Sequence, residues 1–163
     1  MESISLKDVS DQELLQLMEQ SEYSPYVLGM EYLRRNKEKV QRIRYPADIL
    51  PLVETYSKRK QEYFIAITLD GAHVPIKRNV ISRGLVNRTI IHPREVYRKA
   101  ISQNAVAVII AHNHPSGNVE PSAEDKEITQ RLHEAGTVIG ISLLDHIIFT
   151  KDGYYSFLEK GLL

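Results

Sequence analysis

AVAVIIAHNHPSGNVEPSAEDK, residues 105–126, is the stretch on which the reading of this chain turns. Ala105 to Ala111 is a short unbroken apolar run of the kind found in strands buried on both faces, so it is expected to be the central strand of a covered sheet. His112 and His114 follow directly. Side chains two apart in an extended backbone point the same way, so both imidazoles can converge on one point at the strand's end. Pro115, Gly117 and Pro121 force a compact loop, and Ser122 then opens a helix whose first turn can return the Asp125 carboxylate to the same point. Two imidazoles and a carboxylate, with a fourth position left for water, form the pattern of a catalytic zinc rather than a closed structural one. A zinc so held can lower the pKa of its water to about 7. Each residue also has a plainer reading. Strand ends often carry polar side chains, and Ser122-x-x-Asp125 has capping-box spacing, in which the carboxylate serves the helix terminus. The plainer readings leave the paired histidines, the forced turn and the returning acid unexplained as a set.

Working outward, the helix opened by Ser122 is expected to run to about Ala135, where Gly136 stops it, and Thr137 to Thr150 to supply one or two further strands. Upstream, Pro93 opens a helix bearing Val96, Tyr97, Ala100 and Ile101. Tyr63 to Leu69 and Ala72 to Ile81 read as a hairpin about Asp70-Gly71. After Pro46, which suits a first helical position, Ile49, Leu50, Val53 and Tyr56 keep a helical period to about Lys60. The composition changes at Tyr45-Pro46, which marks a helical N-terminal extension, 1–45, and a main domain, 46–163. In the extension, Ser10 and Glu13 have capping-box spacing ahead of Leu14, Leu15, Leu17 and Met18. A second helix is expected from about Pro25, with Tyr26, Val27, Met30 and Leu33 on one face, ending in a basic run over 34–44. This mixed order of elements predicts an α/β (α+β) fold, a mixed and largely covered sheet with helices on its faces.

The chain has 163 residues, 42% hydrophobic and 26% charged, which suits one soluble globular core and excludes collagenous or wholly disordered classes. Its 21 Lys and Arg balance its 21 Asp and Glu, so no whole-protein field drives it onto nucleic acid or an anionic membrane. The absence of cysteine removes disulfides and thiolate ligands, and with them a cytidine-deaminase-type zinc site. Any metal must sit on His, Asp or Glu. The acidic, polar start MESISLKDVSDQELL lacks the basic end and apolar block of a secretory peptide, and Ala105 to Ala111 is far short of a membrane span, so a cytoplasmic location is expected.

The segment reads H-x-H-x7-S-x2-D on His112, His114, Ser122 and Asp125, and this resembles the metal motif of the JAMM (MPN-type) metallopeptidases. HNHPSG followed by PS and Asp125, together with LLDHIIF at 143–149, is similar to the bacterial RadC family from about Pro46 to the C-terminus. The resemblance implies a curved mixed sheet flanked by helices, the JAMM/MPN or cytidine-deaminase-like architecture. It implies a zinc (Zn2+) on His112, His114 and Asp125, with Ser122 near the catalytic water. It also implies an acid at the start of an early strand that takes the water's proton, a position matched by Glu62; spacing alone leaves Glu54 and Glu95 equally open. RadC proteins commonly carry an N-terminal helix-hairpin-helix region, and 1–45 shows no clear glycine-containing hairpin of that type.

The leading expectation is therefore a zinc-dependent hydrolase of the JAMM type acting on a peptide or isopeptide bond of a peptide or protein substrate. In it Glu62 moves the proton and Ser122 helps the oxyanion. A DNA-associated protein is the alternative, with Arg34, Arg35, Lys37, Lys39, Arg42, Arg44 and Lys58-Arg59-Lys60 on phosphates, although basic runs are usually solvated helix faces. A non-catalytic scaffold ranks last, because such relatives typically lose the ligands that are all present here. Of the other histidines, His146 is expected to hydrogen-bond the Asp145 carboxylate in or near the core, or, as the sharper reading, to support the metal site. His92 is expected at a helix entry, and His73 and His133 in structural roles.

Overall fold

A computed structural model describes residues 42–84 and 91–163, with positions 9, 10, 12, 13, 16, 17, 28, 29 and 31 before them. The chain divides into two units, Met1–Val40 and Gln41–Leu163. In the first, the Ser10 N–H and hydroxyl both donate to Glu13 Oε2, at 2.7 and 2.6 Å, and the Glu13 N–H donates to Ser10 Oγ at 3.3 Å, which is the expected capping box. The helix start at Pro25 and the cations Arg34, Arg35, Lys37 and Lys39 lie outside the described residues.

The second unit is built on a mixed five-stranded sheet. Its strands are β1 (Tyr63–Leu69), β2 (Pro75–Arg83), β3 (Ala107–Asn113), β4 (Ser142–Phe149) and β5 (Tyr154–Ser156), in the order β2-β1-β3-β4-β5. The apolar run thus becomes the central strand, antiparallel to β1 and parallel to β4, and every residue of β1 and β3 is buried. Parallel neighbours need a crossover, and helix α2 (Ala123–Ile139) supplies it between β3 and β4. With α1 (Pro93–Ser102), which starts at the N-cap His92 as expected, it covers one face of the sheet. Phe64, Ala66, Val108 and Ile110 on that face form one buried cluster with Val96, Tyr97 and Ala100 of α1 and Leu132 of α2.

Several boundaries differ from expectation. The helix after Pro46 is broken into short turns, Pro46–Ile49, Leu50–Val53 and Glu54–Tyr56. Pro51 has no N–H to offer the Ala47 carbonyl, which takes the Leu50 N–H in a tighter turn instead, and the Ser57 hydroxyl competes for the Glu54 carbonyl at 2.8 Å. In the hairpin, the Asp70 carboxylate accepts the N–H groups of Ala72 and Val74 at 2.8 and 2.9 Å. The connection is therefore a longer loop, and the return strand starts at Pro75 rather than Ala72. Thr137 to Ile139 are helical, and β4 is followed by the short β5.

Gly136 does not stop α2, which ends at the left-handed Gly140. A Cβ on Gly136 would lie 2.4 Å from the Tyr97 hydroxyl and 2.5 Å from the Ile141 carbonyl oxygen. That hydroxyl donates to the Leu132 carbonyl at 2.7 Å, and burial pushes its pKa up to about 12. The glycine is there for the close approach of α1 to α2. In an exposed helix interior Gly→Ala stabilises by up to about 1 kcal/mol. Here Gly136→Ala is expected to destabilise by about 1–3 kcal/mol through overpacking, read from the denaturant midpoint.

Candidate metal centre

His112 is buried one residue before the end of β3, and His114 stays in register beyond it because its N–H donates to the Phe149 carbonyl at 3.1 Å. The tight turn that follows, with Gly117 at φ 83°, brings the Asn118 carbonyl to 2.7 Å from His114 Nδ1. A carbonyl only accepts, so Nδ1 carries a proton, and in the neutral ring the lone pair sits on Nε2. Ser122 caps α2, and the two readings of Asp125 are compatible. Its Oδ2 accepts the Ser122 N–H and hydroxyl, both at 2.7 Å, while its Oδ1 lies 3.3 Å from His112 Nε2. Oδ2 is also 3.6 Å from His114 Nε2, and the two Nε2 atoms are 2.9 Å apart. The loop and the capped helix thus bring His112, His114 and Asp125 together, with ligand atoms all within 4.8 Å of one another.

Glu62 immediately precedes β1. Phe64 pairs with His112 across β1 and β3 and its ring stacks on that imidazole at 5.9 Å, so two residues earlier Glu62 falls opposite His114 on the same face. Its charge is among those that act on His114. Sequence reasoning passed over Asn113, which fixes this placement. The Asn113 Oδ1 accepts the Tyr63 N–H at 2.7 Å and its Nδ2 donates to the Gln61 carbonyl at 3.0 Å, so the backbone is held on both sides of Glu62. The signal was present, since a buried amide between two histidines points to the opposite face and must find partners there. Glu54 sits in a short turn and Glu95 in the first turn of α1.

The expected bond between the Asp145 carboxylate and the His146 imidazole does not form. Neighbours on a strand point to opposite faces, and Asp145 instead accepts the Ser156 hydroxyl at 2.6 Å and the N–H groups of Leu158 and His146 at 3.0 and 2.7 Å. Burial raises its pKa above the usual carboxylate range despite these bonds. The His146 ring stands behind His112, with Nε2 2.8 Å from His112 Nδ1, and stacks on Phe157 at 4.7 Å. Its Nδ1 meets the Thr129 hydroxyl at 2.5 Å. Thr129 was also missed, though it lies one helical turn beyond Asp125 and so on the same helix face.

With this geometry in place, comparison with known proteins assigns the chain. The family model for the RadC-like JAB domain matches residues 43–162. The chain belongs to the RadC-like JAB domain family. A UPF0758 protein of Trichlorobacter lovleyi is 44% identical over 140 residues, covering 85% of this chain and 60% of that one. One of Methanospirillum hungatei is 47% identical over 129 residues, 78% and 57% of the two chains, and one of Staphylococcus aureus 39% over 137 residues, 83% and 60%. This RadC-like chain therefore spans about three fifths of the length of these relatives.

The donor set of the JAB domain fits a metal ion. Ligands of a tetrahedral zinc with bonds of about 2.0–2.1 Å lie about 3.3 Å from one another, against the 2.9 to 3.6 Å found here. The electrostatics also suit a cation. Burial pushes His112 down to about 4, outweighing the Asp125 carboxylate, and drives His146 well below its ordinary value, with His112 adding to the effect. Burial also lowers His114, but Asp125, the Asn118 carbonyl and the charge of Glu62 carry it above its ordinary value. For Asp125, burial is overcome by His114, His112 and the two bonds from Ser122, which hold its carboxyl far below the usual range.

The metal-free protein is expected to lose stability as pH falls. Between about 6.5 and about 4 the unfolded chain takes a proton on His112 that the folded site refuses, so the unfolded state binds more protons and gains on the native state. At about pH 5 this is worth about 2 kcal/mol from His112 relative to about pH 7.5. His146 acts in the same direction, and His114, whose pKa is raised, offsets part of it. Urea midpoints of chelator-treated protein check the sign, and His112→Asn should reduce the fall between about pH 7.5 and about pH 5.

Proposed function

We propose that the chain is a zinc-dependent hydrolase that cleaves a peptide or isopeptide bond in a peptide or protein substrate. The observation that carries this reading is the convergence of His112, His114 and Asp125 within 4.8 Å at the end of the central strand, beside a clamped Glu62. His112 Nε2, His114 Nε2 and Asp125 Oδ1 would hold the ion. When bound, zinc supplies a water with a pKa near 7 and a Lewis acid for the scissile carbonyl. The Glu62 carboxylate accepts the water's proton and passes it to the leaving amine, which requires hydrogen-bond reach to the proton or one intervening water. Ser122 holds Asp125 through its N–H and hydroxyl, and in this reading the hydroxyl turns from Oδ2 to steady the oxyanion as charge develops.

Protein prepared without added metal is expected to hold about one zinc per chain, and the His112→Ala/His114→Ala variant none. Glu62→Gln should keep the metal and lose turnover by about 10²–10⁴ on whichever peptide or isopeptide substrate the parent cleaves. A parent that takes up no zinc when it is supplied, or a Glu62→Gln variant as fast as the parent, would overturn the corresponding part.

One observation favours a second reading, contact with nucleic acid. The exposed Lys58, Arg59 and Lys60 border a cleft of about 420 Å3 with Arg83. Among the described residues none of the four is paired with a carboxylate. If all four neutralise phosphates, affinity for a DNA duplex should fall about 10²-fold between about 50 and about 200 mM salt. A titration with labelled duplex that shows no salt-dependent binding ends this reading.

A further inference from the structure

The polar contacts behind His112 begin and end on one residue. Thr129 Oγ1 lies 2.5 Å from the main-chain carbonyl oxygen of Asp125 and 2.5 Å from His146 Nδ1. His146 Nε2 lies 2.8 Å from His112 Nδ1, and His112 Nε2 lies 3.3 Å from Asp125 Oδ1. Proton positions are not free along this chain, because a carbonyl only accepts and a hydroxyl has a single hydrogen. The Thr129 hydroxyl therefore donates to Asp125, as threonine commonly does to the carbonyl four residues earlier in a helix. Its oxygen must then accept from His146, whose Nδ1 carries the proton. A neutral imidazole protonated there has a bare Nε2, so His146 accepts from the Nδ1–H of His112. The lone pair of His112 is thereby left on Nε2, the atom that faces Asp125 and His114.

We infer that Thr129 and His146 are positioning residues that lock His112 in its Nδ1–H tautomer and aim its Nε2 lone pair at the point shared with His114 and Asp125. The Asn118 carbonyl does the same for His114. Two nitrogen lone pairs 2.9 Å apart, with a carboxylate beside them, repel one another until a cation sits between them. The purpose of the relay rests on the metal reading above, whereas its proton order does not. A purely space-filling role is the competing account, since His146 is also stacked between Phe157 and the edge of Phe64.

The test uses the full chain, 15N-labelled at histidine. Long-range 1H–15N correlation spectra of chelator-treated protein at about pH 8 report which ring nitrogen of each imidazole is protonated, and competition with a chelator reports zinc affinity. The parent should show Nδ1–H on both His112 and His146. Thr129→Val removes the hydroxyl and keeps the shape, and it should disturb the His112 tautomer and weaken zinc by about 10-fold or more. Thr129→Ser should restore both readouts. His146→Phe, which keeps an aromatic ring against Phe157, should weaken zinc as Thr129→Val does. An Nε2–H signature on His112 in the parent would overturn the relay, as would Thr129→Val or His146→Phe binding zinc as the parent does. Equal losses in the Thr129→Val and Thr129→Ser variants would assign Thr129 to packing and overturn it too. If the parent takes up no zinc, the hydrolase reading falls alone, and the parent spectrum still decides the proton order.

Discussion

Two consecutive polar side chains, His112 and Asn113, are buried at the end of a strand covered on both faces, and the rest of the site follows from the need to satisfy them without water. A buried donor or acceptor left without a partner costs about 1–3 kcal/mol. The two residues find their partners on the two neighbouring strands. Asn113 turns to β1 and takes up the backbone on both sides of Glu62. His112 turns to β4 and meets His146. The strand that carries the two histidines thereby also fixes the backbone around Glu62 on its β1 side and meets the His146 imidazole on its β4 side. Among the described residues every buried side-chain nitrogen or oxygen has a partner, so little slack remains in which the site could reorganise.

The double duty of Asp125 follows from the same economy of atoms. A carboxylate has two oxygens and about four lone-pair directions, enough to accept from Ser122 and still face two imidazoles. Its position in the first turn of a long helix adds the favourable field of the exposed N–H groups. Helix start and carboxylate placement are one structure: the bonds that cap α2 also orient Asp125.

What the sequence made legible is what depends on local chemistry. The apolar run, the H-x-H alternation and the capping spacing each constrain a few neighbouring residues, and together they yield the central strand and the three converging ligand types. Glu62 was not readable in that way, because its place depends on the pairing of β1 with β3, fifty residues away, and only the family resemblance singled it out. Gly136 departs from expectation because a glycine late in a helix signals a stop unless a neighbouring helix needs the space, and Tyr97 lies far off in sequence. The hairpin forms as expected, but its return strand starts later because the Asp70 side chain reaches four residues on, beyond the two-residue turn that Asp-Gly suggests. Asp145 and His146 look like a pair on paper, yet strand geometry turns adjacent side chains to opposite faces.

The C-terminal segment has a part in this that its sequence does not advertise. Asp145, on the face away from the ligands, anchors Ser156 and Leu158, and Phe157 between them stacks on His146 while its N–H bonds the His146 carbonyl at 3.0 Å. Residues 156–158 therefore back the His146 imidazole, which in turn stands behind His112. On the metal reading proposed above, whatever free energy the packing of Phe157 on His146 lends to ion binding is lent back in full to that packing when the ion binds.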